Sequence, residues 1–421
     1  MEEEHSHYHG VDLAEKHISV DKALEGFLSQ IKPVGIEKVS VLSSLHRVLS
    51  EDVKSRVNVP LRARSTRDGY AVRLAQDHVP AGSNFVVVGD VRIGTKPKIV
   101  IKSGEAVRIA TGSYVPEGTN AVLMIEYASV NGSSLVSNRD METGENILDA
   151  GEDISINSTV LKKGESIRPQ HIALLTQLGI GRIKVFRKPR VAFFSTGDEL
   201  ADPRKSTAKN PTKIYDSNRP FIQSIVSELG AEPLDLGIAR DDYATIRRKI
   251  VRGIECDALI LSAGSSVGER DYVSRAAESI RGVKILFHGV AMRPSSPTGL
   301  AIYRGKSPLI LLPGFPTSAI VAFLVFARPA ILKLSGSKTT SYPFVKAKLL
   351  DHYEGKKGIT HFVRVKVESG PNGYVASIVK PSEASYSSWM GSANGVAVIR
   401  EESSPVEAGQ EVAIFLISSI N

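Results

Sequence analysis

Val191-Ala-Phe-Phe-Ser-Thr-Gly-Asp-Glu-Leu200 is the stretch on which the fold turns. Its first half is a continuous apolar run, and its second half is small, flexible and acidic. A run with no polar alternation reads as a strand buried on both faces, the kind found in parallel sheets. Two more stretches repeat the texture: Ala258-Leu-Ile-Leu-Ser-Ala-Gly-Ser-Ser-Val-Gly-Glu-Arg-Asp-Tyr272 and Leu309-Ile-Leu-Leu-Pro-Gly-Phe-Pro-Thr-Ser318. Open α/β sheets bind ligands at the carboxyl ends of their strands. Glycine lets a backbone come close to a phosphate, and successive N–H groups can cradle the anion. Acids beside such loops hold a divalent metal or orient a hydroxyl. Together these stretches describe a site for a phosphorylated small molecule.

Strands and helices alternate from residue 190 to about 336, as a parallel sheet with crossover helices requires. The pattern predicts strands at 191–194, 233–238, 258–261 and 283–287, with a short pair at 300–303 and 309–312. Helices are predicted at 221–229, 243–254 and 272–280, with a long one from Ser318. Beyond Gly336 helices vanish. Strands at 345–349, 362–367, 374–379, 396–399 and 412–416 predict a small β-barrel or sandwich, taken here as a barrel.

Upstream, 17–31 reads as a helix with Ser19 as N-cap and Pro33 as its stop, followed by a second helical stretch at 42–49. Short β-rich runs between Gly, Pro and Asn turns occupy 61–152, and helical periodicity returns at 168–178. The domain reading is therefore a tail at 1–17, a discontinuous N-terminal domain at 18–60 and 153–189, and an inserted β-rich domain at 61–152. An α/β domain at 190–336 and a barrel domain at 337–421 complete it. The fold class is multidomain α/β plus β.

With 421 residues the chain is long enough for several cores, and 42% hydrophobic and 23% charged content are those of a globular protein. The longest apolar stretch, 319–334, is interrupted by Arg328-Pro329 and reads as a buried helix, so no membrane span is expected. The first ten residues are acidic and polar, unlike a signal peptide. A single cysteine excludes an internal disulfide and suits a reducing, cytoplasmic setting. The net charge of +8 is scattered rather than gathered into a basic run with aromatics, which argues for anionic metabolites over nucleic acid. His5, His7 and His9 alternate in the tail without a third structural constraint. Paired Cys/His spacing, a P-loop and a Rossmann glycine fingerprint are all missing from the sequence, which argues against structural zinc, a P-loop NTPase and a dinucleotide enzyme.

The order of motifs carries a family resemblance. Ser65-Thr-Arg-Asp-Gly-Tyr-Ala-Val-Arg73, Ala110-Thr-Gly112, Val115-Pro-Glu-Gly118 and Gly151-Glu-Asp-Ile154 come first. Thr196-Gly-Asp-Glu-Leu200, Ile214-Tyr-Asp-Ser-Asn-Arg219, Gly237-Ile-Ala-Arg-Asp-Asp242, Gly264 to Tyr272 and Leu312-Pro-Gly-Phe-Pro-Thr-Ser318 follow. In this order they resemble the molybdopterin molybdenumtransferases, the MoeA and gephyrin E-domain family of molybdenum-cofactor biosynthesis. The resemblance implies a homodimeric, Mg²⁺-dependent transferase that inserts molybdate, or tungstate, into adenylylated molybdopterin and releases AMP. A molybdopterin adenylyltransferase is the implied protein partner. The alternative is a weakened or inactive paralogue acting as a molybdopterin-binding or scaffold protein.

The resemblance also assigns residues. Glu199 inherits an active-site role, and Thr196, Gly197 and Asp198 would line the substrate. Asp241 and Asp271 match the acids tied to metal and molybdate, while Asp242 reads better as a helix cap. Gly264, Ser265, Ser266 and Gly268 would cradle a phosphate, with Pro313, Gly314, Pro316 and Ser318 on the neighbouring loop. Asp68 and Asp153 would reach the site from a partner subunit, and Ser387 or Ser388 would be lent by the last domain. Arg293 would neutralise oxyanion charge. Two departures stand out: Ala263-Gly264 where the family has two glycines, and Ser295-Ser296 where it has Gly-Lys before Pro297.

Overall fold

The computed structural model describes residues 17–202, 213–263, 267–340, 344–380 and 387–420, without the side chains of 267–271. The α/β domain contains β1 (Arg190–Thr196), α1 (Asn218–Glu228), β2 (Glu232–Ala239), α2 (Tyr243–Gly253), β3 (Ala258–Ala263) and α3 (Val267–Glu278). It continues through β4 (Val283–His288), β5 (Gly299–Tyr303), β6 (Ser307–Pro313) and the long helix α4 (Pro316–Leu334). The sheet order is β2-β1-β3-β6-β5-β4. β2, β1, β3 and β6 are mutually parallel, and β5 alone runs against its neighbours.

The apolar runs are continuous because each strand feeds two cores. Val191, Phe193, Ile260, Ile310 and Leu312 enter one core with α1 and α4, while Ala192, Phe194, Leu259, Leu261, Leu309 and Leu311 enter the other with α2 and α3. Successive strand side chains point to opposite faces, so an unbroken apolar run is what a three-layer sandwich demands. The chain leaves β1 outward to β2 and then returns to β3 on the other side. That reversal makes the β1/β3 boundary a topological switch point, where the carboxyl ends open into a crevice.

Residues 36–60 and 153–189 are stitched together by antiparallel pairing of Ile36–Ser40 with Arg182–Phe186 and of Val53–Lys54 with Thr159–Leu161. Two cores built wholly from residues between Tyr70 and Ile147 close on themselves within the β-rich segment. Gly69 is required there, since a Cβ would stand 1.9 Å from the Leu123 carbonyl oxygen. The helix Val20–Ser29 packs on the α/β core through Ala23 and Phe27 rather than on the segment that follows it. Five strands between Phe344 and Leu416 close into a barrel, because the strand Thr360–Gly370 pairs with both Gly373–Ile378 and Gly395–Ile399.

Three local expectations are corrected. Residues 42–49 form only a short 3₁₀ turn, Val41–Ser43. The Ser44 hydroxyl bonds back to the Val41 carbonyl at 2.6 Å, and His46 takes a left-handed φ of 63°, which ends any helix. Ser19 occupies the N-cap position of its helix, but its hydroxyl caps nothing. α3 starts at Val267, so Gly268 to Asp271 lie within its first turns rather than in a loop ahead of it.

α4 has 19 residues and is long and apolar enough to cross a bilayer, yet 83% of its most apolar 18-residue stretch is buried inside the protein. The barrel is fastened to its first turn. Trp389, fully buried and the only tryptophan, donates its indole N–H to Thr317 Oγ1 at 2.7 Å. Thr317→Val would leave that N–H unsatisfied at a cost of about 1–3 kcal/mol. Intrinsic tryptophan fluorescence during urea unfolding should show the barrel loosening earlier in the variant than in the parent.

Candidate functional site

The crevice at the switch point begins with the loop after β1. Thr196 and Gly197 are buried, whereas Asp198 and Glu199 are exposed. A Cβ on Gly197 would lie 2.6 Å from Glu199 Oε1, so the carboxylate folds back over a backbone that only glycine permits. The Asp198 N–H donates to Asp241 Oδ2 at 2.9 Å, which ties the β1 loop to the β2 loop. Lys213 donates to the Asp198 carbonyl. Asp242 accepts from the Thr245 N–H at 2.7 Å and caps α2. That backbone bond holds its carboxyl below the ordinary range.

Asp241 keeps its second oxygen free among the described residues: Oδ1 is buried and has no hydrogen-bond partner there. The hydroxyls of Ser195 and Thr196, on the adjacent strand end, are likewise buried without partners. Leaving such groups unsatisfied costs free energy in the isolated protein, so they mark a place where a ligand completes the bonding.

Asn218 and Arg219, at the start of α1, clamp the crevice from below. Asn218 Nδ2 donates to Ser262 Oγ at 2.7 Å and to the Gly314 carbonyl at 2.8 Å, joining the ends of β3 and β6. The Ser262 hydroxyl in turn donates to the Pro313 carbonyl at 3.2 Å. Arg219 is 3% exposed and bonds three carboxylates: Asp216 at 2.7 Å, Asp235 at 2.8 Å and Asp202 at 3.0 Å. Burial pulls its pKa down, but the bonds to these acids outweigh it and the guanidinium is held above its usual range. Asp202 lies just beyond the strand Leu200–Ala201, so Arg219 anchors the far end of the Glu199 loop.

The loop after β6 presents Pro313, Gly314, the exposed Phe315, and Pro316 at the first position of α4. Ser318 is buried, and its carbonyl accepts the Ser295 hydroxyl at 2.7 Å. Ser295 takes a φ of +89°, the left-handed region, which explains why a glycine suits this position. Ser296 is half-buried, with its carbonyl accepting the Val290 N–H at 2.8 Å. Pro297 shares a small cavity of about 20 Å³ with Ala263 and Pro313, which brings this loop beside the ends of β3 and β6. Arg293 is exposed and pairs in a short parallel bridge with His361 of the barrel.

Sequence reading missed one residue that the structure singles out. Arg364, on the barrel strand Thr360–Gly370, is 3% exposed, and its Nε and Nη2 are buried without partners among the described residues. Its guanidinium lies 6.0 Å from the ring of Trp389, the residue bonded to the first turn of α4. Burial pushes its pKa down and the Tyr353 phenol partly restores it; Tyr353 itself feels both Arg293 and Arg364. Tyr353 bonds His361 Nδ1 at 3.0 Å, and burial lowers the His361 pKa. A buried guanidinium with unspent donors calls for an anion. The signal was a charge inside the strand run Phe362-Val-Arg-Val-Lys-Val367, of whose two cations Arg364 is buried and Lys366 exposed.

Asp68 and Asp153 are exposed and lie away from these loops in sequence and contacts. Asp68 Oδ1 accepts the Thr111 N–H at 2.8 Å within the β-rich segment, and the Asp153 N–H bonds the Val59 carbonyl at 3.1 Å. Ser387 and Ser388 sit at the turn leading to Trp389. Gly264, Ser265 and Ser266 lie outside the described residues. The backbone of Gly268 and Asp271 belongs to α3, but the side chain of Asp271 is not described. Among the described residues, no group of three or more His, Cys, Asp and Glu side chains could hold a metal by itself.

Comparison with known proteins converges on one group. Residues 18–179 match the profile "MoeA N-terminal region (domain I and II)", 192–333 match "Probable molybdopterin binding domain", and 346–417 match "MoeA C-terminal region (domain IV)". The molybdopterin molybdenumtransferase of Bacillus subtilis (strain 168) is 32% identical over 415 residues, covering 96% of this chain and 95% of that protein. The molybdopterin molybdenumtransferase of Staphylococcus aureus (strain MSSA476) is 31% identical over 353 residues, with 83% of each chain covered. The crystal structure of a molybdopterin biosynthesis moeA protein from Pyrococcus horikoshii OT3 superimposes with a TM-score of 0.82 at 28% identity, covering 95% of this chain and 100% of that one.

Proposed function

The chain belongs to the MoeA family of molybdopterin molybdenumtransferases, and from that membership we propose that its crevice binds adenylylated molybdopterin and molybdate, inserts the metal and releases AMP. The observation that carries the reading to the residues is the pair of uncompensated buried groups, Asp241 Oδ1 after β2 and the Arg364 guanidinium beside the first turn of α4. One seeks a cation or a donor, the other an anion, as a substrate bearing phosphates and an oxyanion would supply.

Glycine at 197 and the small loops after β3 and β6 let phosphates approach the backbone closely. Glu199 and Asp198 orient the substrate at the mouth, while Arg293 and Arg364 neutralise molybdate. Rate would come from orientation and fixed charge rather than from a protein nucleophile. Mg²⁺ takes one or two carboxylates together with substrate phosphates, and the free oxygen of Asp241 fits that requirement. Asp241, with Asp271 as second acid, would hold it, and the ion would supply charge neutralisation at the phosphates.

The test is a transfer assay with adenylylated molybdopterin and molybdate, with and without Mg²⁺, reading AMP release. A chain that binds the adenylylated substrate and never releases AMP would overturn the reading.

The remaining proposals follow from the same membership. Asp68 and Asp153 would complete the site from a second subunit, so a homodimer is expected, with a molybdopterin adenylyltransferase as the supplying partner. Sedimentation at micromolar concentration should give a dimer, and a monomer would remove both acids from the site. The strand pairings at Ile36–Ser40 and Val53–Lys54 support taking 18–60 and 153–189 as one discontinuous domain around the insertion at 61–152. A single free cysteine supports a cytoplasmic setting.

The serine pair offers a further test. Ser295→Gly relieves a left-handed residue worth about 1–2 kcal/mol and gives up a hydroxyl bond worth about 0.5–1.5 kcal/mol. Folding stability should therefore change by between about −0.5 and about +1.5 kcal/mol. Adding Ser296→Lys returns a cation to the loop and should raise transfer by roughly one power of ten or more. Unchanged transfer in the double variant would show that Arg293 and Arg364 already suffice.

A further inference from the structure

A second crevice opens at the amino ends of the same strands, on the face opposite the proposed site. It has a volume of about 790 Å³ and runs between the segment after the helix Val20–Ser29, the start of β3, the β5–β6 turn and the last turn of α4. Four cations line it, Lys32, Arg187, Arg304 and Lys306, against two acids, Glu255 and Asp257. Only one of the cations is spent. Arg187 makes a two-pronged bond to Asp257 at 2.7 and 2.5 Å, which fixes both groups in the wall. Lys32, Arg304 and Lys306 are exposed and form no ion pair with a carboxylate among the described residues; Arg304 lies over the Tyr303 ring at 5.0 Å from its centre. Val34, Ile254 and Leu334 supply an apolar wall.

We propose that this crevice is a binding site for a small molecule bearing a di- or polyphosphate group, distinct from the transferase site. Three unpaired cations carried by two separate segments converge on one concavity, and like charges so placed repel unless an anion lies between them. Lysine ammonium groups suit phosphate as compact point charges, and Arg304 adds a fork of donors. The Tyr303 ring beside Arg304 gives a nucleotide a surface that free pyrophosphate would not use. Nothing in this inference depends on the transferase reading, because the site lies at the other ends of the strands.

The chain has one cysteine, and Cys256 lines the crevice, so a single thiol reports on it. The test is a calorimetric titration of the full chain with pyrophosphate and, separately, with ATP, at constant ionic strength. It is repeated on Arg293→Glu, which reverses a charge in the other site, and on the double variant Lys32→Glu with Lys306→Glu. The expected result is saturable binding in the parent and in Arg293→Glu, weakened at least tenfold in the double variant. Tighter binding of ATP than of pyrophosphate would identify a nucleotide as the ligand, and equal binding the phosphate group alone. Cys256 is 6% exposed, so slowing of its labelling by a thiol reagent, with the same midpoint as the titration and lost in the double charge-reversal variant, would tie the ligand to this wall. Binding that never saturates, or that survives the double charge reversal, would overturn the proposal.

Discussion

Arg219→Met is expected to cost about 3–5 kcal/mol of folding free energy and to abolish transfer at the same time. The guanidinium is 3% exposed and holds Asp216, Asp235 and Asp202, so its removal takes away the cation that the three carboxylates share and leaves Lys249, which already feels Asp235, to face them. Breaking a buried pair by removing one partner is far more damaging than the pair was worth, because the stranded charges cannot be resolvated. Arg219→Lys keeps a charge but not the five-donor fork, and should fall between parent and Met. A urea unfolding series on the three proteins decides it. A Met variant within about 1 kcal/mol of the parent would mean that the acids find other partners and the hub is dispensable.

Asp241→Asn should separate stability from activity. The carboxamide oxygen can still accept the Asp198 N–H that Asp241 Oδ2 accepts at 2.9 Å, so the two loops stay tied. What changes is the buried Oδ1, which has no partner among the described residues. Removing an uncompensated charge there should leave the unfolding midpoint unchanged or raise it, whereas turnover should drop by about 10²–10³. The measurement is AMP release beside thermal unfolding of the same preparation. Retained turnover in the Asn variant would take Asp241 out of the site.

The strands of the α/β domain were legible because a strand buried on both faces has no polar alternation to obscure it. Val191 to Phe194 and Leu309 to Leu312 announce themselves for this reason. The barrel strands were legible from spacing alone, and the cap at Asp242 from its position ahead of a helical run. The helix at 42–49 was not, because its apolar stripe is real but Ser44 and His46 divert the backbone. The early start of α3 was hidden by Gly268, whose cost of about 1 kcal/mol within a helix the surrounding turns absorb.

The site was half visible. Motif order and resemblance point to Thr196 through Glu199 and to Asp241, whose unsatisfied oxygen only coordinates can reveal. Arg219 stood inside a quoted motif, but its partners Asp202 and Asp235 come from separate segments and no spacing joins them. Arg364 lies in the last domain, and its meaning comes from burial next to Trp389 rather than from its neighbours in sequence.

The burial of α4 has a consequence for biosynthesis. Its 19 residues would satisfy the machinery that sorts hydrophobic segments into membranes, and they are shielded by the sheet, by α1 and the helix Val20–Ser29, and by Phe362, Trp389 and Val396 of the barrel. Those barrel residues are translated after the helix. For the interval between the two, a ribosome-bound chain carries a greasy rod still uncovered on the barrel side, which chaperones can hold and membranes or other nascent chains can capture. The terminal barrel thus acts as the closing piece of folding, and a ribosome that stalls before residue 396 releases an aggregation-prone product rather than a smaller working enzyme.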